Sequence, residues 1–180
     1  HETTVIAVNL KKVPKMDKKS FLQAGHTPTL LAAFLYFDLA FMVWVLLGPL
    51  GISIAKDLGL SHAEKGMMVA TPVLAGALLR IIMGILVDRL SPKKAAIIGQ
   101  VVVIATMLYA WQIGVHSYGE VLVLGLFLGV AGASFAAALP LASRWYPAEH
   151  QGTAMGIAGA GNSGTVLAAL YILLMYQRTM

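Results

Sequence analysis

Apolar and polar residues in this chain fall into long blocks instead of alternating. Residues 1–29 are polar, and five apolar runs follow at 30–54, 66–87, 95–115, 121–143 and 152–176, joined by short polar connections. At about 1.5 Å of rise per residue, a helix over any of these runs can cross a hydrocarbon layer about 30 Å thick. A closed β-barrel would need strands of about 10 residues with alternating polarity, and the runs do not alternate. Backbone groups in lipid have no water to bond, so each run is expected to be a helix that satisfies its own backbone. Short connections make neighbouring helices antiparallel. Pro49, Pro72 and Pro140 remove backbone donors within the first, second and fourth runs and are expected to bend them. The pattern predicts an all-α membrane protein with five transmembrane helices.

Composition points the same way, with 58% of the 180 residues hydrophobic and 12% charged. The net charge of +5 matters through its placement. With the N-terminus inside, Lys11, Lys12, Lys15, Lys18, Lys19, Arg89, Lys93, Lys94 and Arg144 fall on the cytoplasmic side, against Lys56, Lys65 and Arg178 outside. This asymmetry predicts a multi-pass protein of the cytoplasmic membrane with a cytoplasmic N-terminus, and makes the lipid bilayer, not nucleic acid, the partner of the basic residues. Residues 1–29 lack the apolar core of a secretory signal and are expected to be a cytoplasmic tail. Met16 opens MDKKS as a candidate start, which would make residues 1–15 leader sequence. Cysteine is absent, which excludes a disulfide framework and thiolate chemistry from this chain.

Candidate chemistry lies inside the apolar runs. The stretch GTAMGIAGAGNSG, Gly152–Gly164, surrounds Asn162 with small residues, which in lipid marks either a packed helix face or a backbone beside a ligand. Counted from the cytoplasmic ends, Arg80 lies about 12 Å deep, Phe135 about 13 Å and Asn162 about 15 Å, so three helices bring a cation, an aromatic ring and an amide near the midplane. Gly76, Ala77 and Gly84 flank Arg80 on its helix face and suit contact with protein better than with lipid. An intramembrane arginine costs about 2.5 kcal/mol or more, so it calls for an anionic ligand, an ion pair or an escape to the interface. Asp38, at about the same depth on the preceding helix, is a candidate ion-pair partner and otherwise a protonatable group for coupling. The histidines are scattered over loops and span ends, and neither a haem clamp, a metal cluster nor a nucleophile with its base appears; no cofactor and no enzyme activity are expected.

At Gly84–Lys94 the sequence GILVDRLSPKK resembles the loop between helices two and three of the major facilitator superfamily, with Gly84, Asp88, Arg89, Lys93 and Lys94 in place and Ser91-Pro92 where a glycine is usual. The resemblance implies that these residues form a cytoplasmic gating motif. The longer segment Gly129–Gly164, with its AGAGNSG end, resembles the nitrate/nitrite porter family within that superfamily, as does FDLAFMVWVLLGPLG at Phe37–Gly51. It implies five helices forming most of the N-terminal six-helix bundle of a secondary transporter of nitrate and nitrite. In that bundle Arg80 would hold the anion's oxygens, Asn162 donate to it, and Phe135 bound its flat face. Gly159, Gly161 and Gly164 would let backbone approach it, and protons are a candidate coupling ion. Over Tyr171–Met180 the resemblance fails, which implies a truncation or an altered reading frame, and so an incomplete transporter. The alternatives are a facilitator for another small anion or an organic solute and, in a different class, a membrane anchor of a redox enzyme or an inactive fragment.

Overall fold

The computed structural model describes residues 18–179, with side chains from 21 to 174. Lys11, Lys12 and Lys15, the leader expected over residues 1–15 and the terminal Met180 lie outside the described residues. The elements in order are α1 (Lys18–Ala24), α2 (Thr27–Trp44), α3 (Leu47–Asp57), α4 (His62–Arg89), α5 (Pro92–Ile113), α6 (Tyr118–Gly132), α7 (Phe135–Ser143), α8 (Ala148–Gly159), a short 3-10 turn (Ala160–Ser163) and α9 (Gly164–Thr179). They compose five segments long and apolar enough to cross a membrane: Thr27–Asp57, His62–Arg89, Pro92–Ile113, Tyr118–Ser143 and Ala148–Leu174. Large apolar side chains such as Leu78, Ile81 and Trp111 stand out from the bundle, an arrangement suited to lipid and not to water. The molecule is a multi-pass membrane protein.

Local signals set where the helices start. Ser61 accepts from the Glu64 N–H at 3.3 Å while the Ser61 N–H donates to Glu64 Oε2 at 2.8 Å, a reciprocal cap that opens α4. Ser117 caps α6 through the Glu120 N–H at 3.2 Å. Within the stretch expected to be tail, α1 forms because Phe21 stacks on Tyr146 with centroids 4.8 Å apart. Gly25 fits against the Trp145 carbonyl and the Tyr146 ring, where a Cβ would stand 2.6 Å from both.

Three of the five spans are not continuous α-helices. The first breaks at Val45–Leu46: a proline ring clashes with the carbonyl four residues back, which for Pro49 is Val45, and that carbonyl is taken by the Gly48 N–H at 2.9 Å instead. The fourth breaks at Ala133–Ser134, and the fifth tightens to a 3-10 turn at Ala160–Ser163. Pro72 and Pro140, by contrast, sit inside helices that run on through them.

Small residues bring the helices together. Gly129 meets Ala75, and its Cβ would lie 2.8 Å from the Gly76 nitrogen, so α4 and α6 touch through their backbones. α2 lies at the centre, in contact with α6, α7, α8, the 3-10 turn and α9, while α5 packs on α4, α6 and α7. At the α4–α5 turn, Ser91 has φ 137, a region that favours glycine, and its hydroxyl accepts from the Lys94 N–H at 3.4 Å. Gly84 was expected to allow close packing, but nothing lies within 4 Å of where its Cβ would stand.

Candidate functional site

Three of the spans contribute to a common cluster. On α2, Phe37, Phe41 and Trp44 follow a four-then-three spacing that puts them on one helical face. Pro72, Gly76 and Arg80 are spaced by four along α4. Gly132 ends α6 and Phe135 begins α7, so they flank the break in the fourth span.

The break creates the anchor for the arginine. In a continuous helix the Ala136 N–H would bond to the Gly132 carbonyl; here it bonds to Ala133 at 3.1 Å. The Gly132 carbonyl instead accepts from Arg80 Nη2 at 3.1 Å. The guanidinium also stands over the Phe135 ring, its Cζ 5.4 Å from the centroid, where the negative face of the ring attracts it. Arg80 Nε and the Ser134 hydroxyl are buried and have no hydrogen-bond partner among the described residues. Phe135 itself is 37% exposed, so its ring keeps an open face.

Asp38 does not pair with Arg80. Its Oδ1 accepts from the Ser163 hydroxyl at 2.6 Å, and the pairing that equal depth allows does not form because the carboxylate faces the 3-10 turn, not α4. Among the described residues Arg80 has no carboxylate partner, and its charge is met only by a carbonyl and a ring.

The glycine-rich segment packs on α2. A Cβ on Gly161 would stand 2.7 Å from the Phe34 carbonyl oxygen and 3.2 Å from Phe37 Cβ, and one on Gly164 would run into the Asp38 carbonyl. These two glycines spend their free side on a helix, whereas Gly159 is half-buried with Leu139 Cδ2 at 4.0 Å. Asn162, between them, is exposed; its carbonyl accepts from Thr165 Oγ1 at 2.6 Å, and its side-chain amide has no partner among the described residues. Arg80 and Phe135 are thus in contact, and Gly161, the neighbour of Asn162, lies against Phe37, whose ring is 5.4 Å from that of Phe135. Asp88, Arg89, Lys93 and Lys94 are exposed at the far end of α4 and the start of α5, outside this cluster.

Trp44 was not singled out from the sequence, yet its indole Nε1 donates to the Pro72 carbonyl at 2.7 Å. The spacing of Phe37, Phe41 and Trp44 was the signal that would have revealed it. No metal-binding cluster of His, Asp or Glu occurs among the described residues. An apolar cavity of about 660 Å³ between α5 and α6, bordered by Tyr109, Glu120 and Phe127, shares no residue with the arginine cluster.

Residues 30–177 match the family model described as the Major Facilitator Superfamily. The chain is 40% identical over 151 residues to a probable nitrate/nitrite transporter, NarK2, of Mycobacterium tuberculosis, which covers 82% of this chain and 38% of the relative. It is 35% identical over 131 residues to a probable nitrate/nitrite antiporter, NarK1, of Thermus thermophilus, covering 72% of the chain and 29% of the relative. A nitrite extrusion protein of Bacillus subtilis is 35% identical over 127 residues, covering 71% and 32% respectively. The chain therefore spans about a third of the length of these curated relatives.

Proposed function

The chain belongs to the Major Facilitator Superfamily, and on that premise we propose that it forms part of a secondary transporter that moves nitrate and nitrite across the cytoplasmic membrane by alternating access. The observation that carries this is Arg80: a guanidinium within a membrane span, held by the Gly132 carbonyl and the Phe135 ring, with no carboxylate to neutralise it among the described residues. Its charge is left for an anion. The names of the relatives support nitrate or nitrite as that anion. A planar fork of N–H donors fits a flat oxyanion better than the point charge of a lysine does. Phe135 bounds the flat face, and the unpartnered Asn162 amide supplies a further donor. Gly161 and Gly164 serve by seating the Asn162 turn on α2, and Gly159 leaves the flank of that turn open.

In this superfamily the site lies between two halves of six helices that rock about it. The exposed charges Asp88, Arg89, Lys93 and Lys94, with Gly84, sit at the α4–α5 turn, where helix-end contacts gate the cytoplasmic side.

The test is uptake of nitrate, or its exchange for nitrite, by the full-length protein in liposomes. Arg80→Ala is expected to abolish transport and Arg80→Lys to leave only a small fraction; transport unchanged in Arg80→Ala would defeat the site. Competition separates ligands: nitrate and nitrite should displace each other, with chloride and formate far weaker.

Asp38 distinguishes two roles. Asparagine at this position still accepts from Ser163, so Asp38→Asn should leave uptake within about threefold, a loss smaller than one net hydrogen bond. If a proton gradient drives uptake in the parent protein but not in Asp38→Asn, protons are the coupling ion and Asp38 their carrier.

A further inference from the structure

We infer that Trp44 is a positioning residue for Arg80, acting through the backbone of Gly132. The inference rests on the anion site proposed above.

The indole lies in a slot made by two glycines on two different helices. A Cβ on Gly76 of α4 would stand 3.0 Å from the ring, and one on Gly132 of α6 would collide with it. Its N–H is tied to Pro72 on α4 at 2.7 Å, so the ring cannot slide out of the slot without giving up that bond. In a span that offers no water, the N–H has few other acceptors. Gly132, which forms the opposite wall, is the residue whose carbonyl holds Arg80. Trp44 therefore sets how far α6 stands from α4 at the point where the arginine is anchored.

A second route joins the same residues. Trp44 meets Phe41 at 4.9 Å, Phe41 meets Phe37 at 4.5 Å, Phe37 meets Phe135 at 5.4 Å, and Phe135 carries the guanidinium. The contacts close a loop: from Arg80 through Gly132 to Trp44, and back through the three phenylalanines. Both things that hold the guanidinium, the carbonyl and the ring, rest on one face of α2. A pair of close-packed glycines with a large ring between them tolerates no gradual adjustment, so a change at Trp44 is felt at Arg80.

The experiment uses the full-length protein in liposomes with Trp44→Leu, Gly132→Ala, the double variant and Trp44→Phe. Trp44→Leu and Gly132→Ala are each expected to raise the nitrate KM by roughly tenfold, the size of one hydrogen bond to a charged group, with maximal rate changed far less. In the double variant the smaller leucine makes room for the added methyl, so its KM should lie well below the product of the two single effects. Trp44→Phe keeps a ring in the slot and should stay closest to the parent. KM unchanged in every variant, or exact multiplication of the single effects, overturns the inference while leaving the anion site intact. Thermal unfolding of the same four proteins covers the remaining case. If Arg80→Ala transports normally the anion site falls, and additive losses of stability at Trp44 and Gly132 would then refute the slot as well. If Gly132→Ala does not fold, Gly76→Ala replaces it, since its methyl presses on the same ring less severely.

Discussion

Arg80 is held by interactions that steady a charge without cancelling it. A carbonyl and a ring face offset part of the roughly 2.5–3.5 kcal/mol that an arginine costs at mid-membrane, and neither supplies a full negative charge. Removing the ring in Phe135→Ala should weaken nitrate binding by about 1 kcal/mol, a rise of roughly fivefold in KM measured by uptake. Phe135→Tyr, which preserves the ring face, should change it little. A different residue carries strain: Ser91, before Pro92, has φ 137 and ψ 157, in a region populated almost only by glycine. Ser91→Gly should relieve about 1–3 kcal/mol of that strain and lose only a few tenths with the weak cap. A higher unfolding temperature in detergent is the expected result, and a lower one would show that the cap dominates.

At the scale of elements, the chain uses glycine where helices must touch and broken helices where side chains must be aimed. Gly164 sits against the Asp38 carbonyl, whereas Gly156 has nothing within 4 Å. Gly164→Ala should force α9 away from α2 and destabilise the protein by about 1–3 kcal/mol, read as loss of folded protein on gel filtration and a lower unfolding temperature. Gly156→Ala should be neutral or stabilise by up to about 1 kcal/mol, because an exposed helical position gains from alanine. The breaks do distinct things. That at Val45–Leu46 ends the aromatic face of α2 one residue after Trp44; that at Ala133–Ser134 frees the Gly132 carbonyl; the 3-10 turn exposes Asn162 while burying Gly161 and Gly164. Each break lies within the contact region of α2.

For the molecule as a whole, the proposed orientation places the basic residues of the α4–α5 turn and the α7–α8 connection on the cytoplasmic side. Because this chain contains no cysteine, single cysteines report topology directly. Lys93→Cys should react with an impermeant maleimide only from the cytoplasmic side and Lys56→Cys only from outside; the reverse pattern would invert the proposed orientation. Transport by rocking of two halves needs both, and the described residues of this chain contribute five spans. Reconstituted without the remainder of such a transporter, they should insert and give no nitrate uptake above that of empty vesicles.

Hydropathy alone determined the class of the protein and the existence of five spans, because an uninterrupted apolar run of bilayer length has one stable solution in lipid. It also exposed Arg80, since a single fixed charge in such a run stands out without any knowledge of its neighbours. Equal depth, however, says nothing about azimuth. Asp38 looked like a partner for Arg80 because both lie near the midplane, yet the carboxylate faces Ser163. The four-then-three spacing places Trp44 on the aromatic face of α2, but its weight comes from two glycines distant in the chain that leave its indole one place to lie. Which carbonyl an arginine meets, and where a continuous run of apolar letters stops being one helix, depend on the backbone of a neighbouring element. Only packing the helices against α2 decided those.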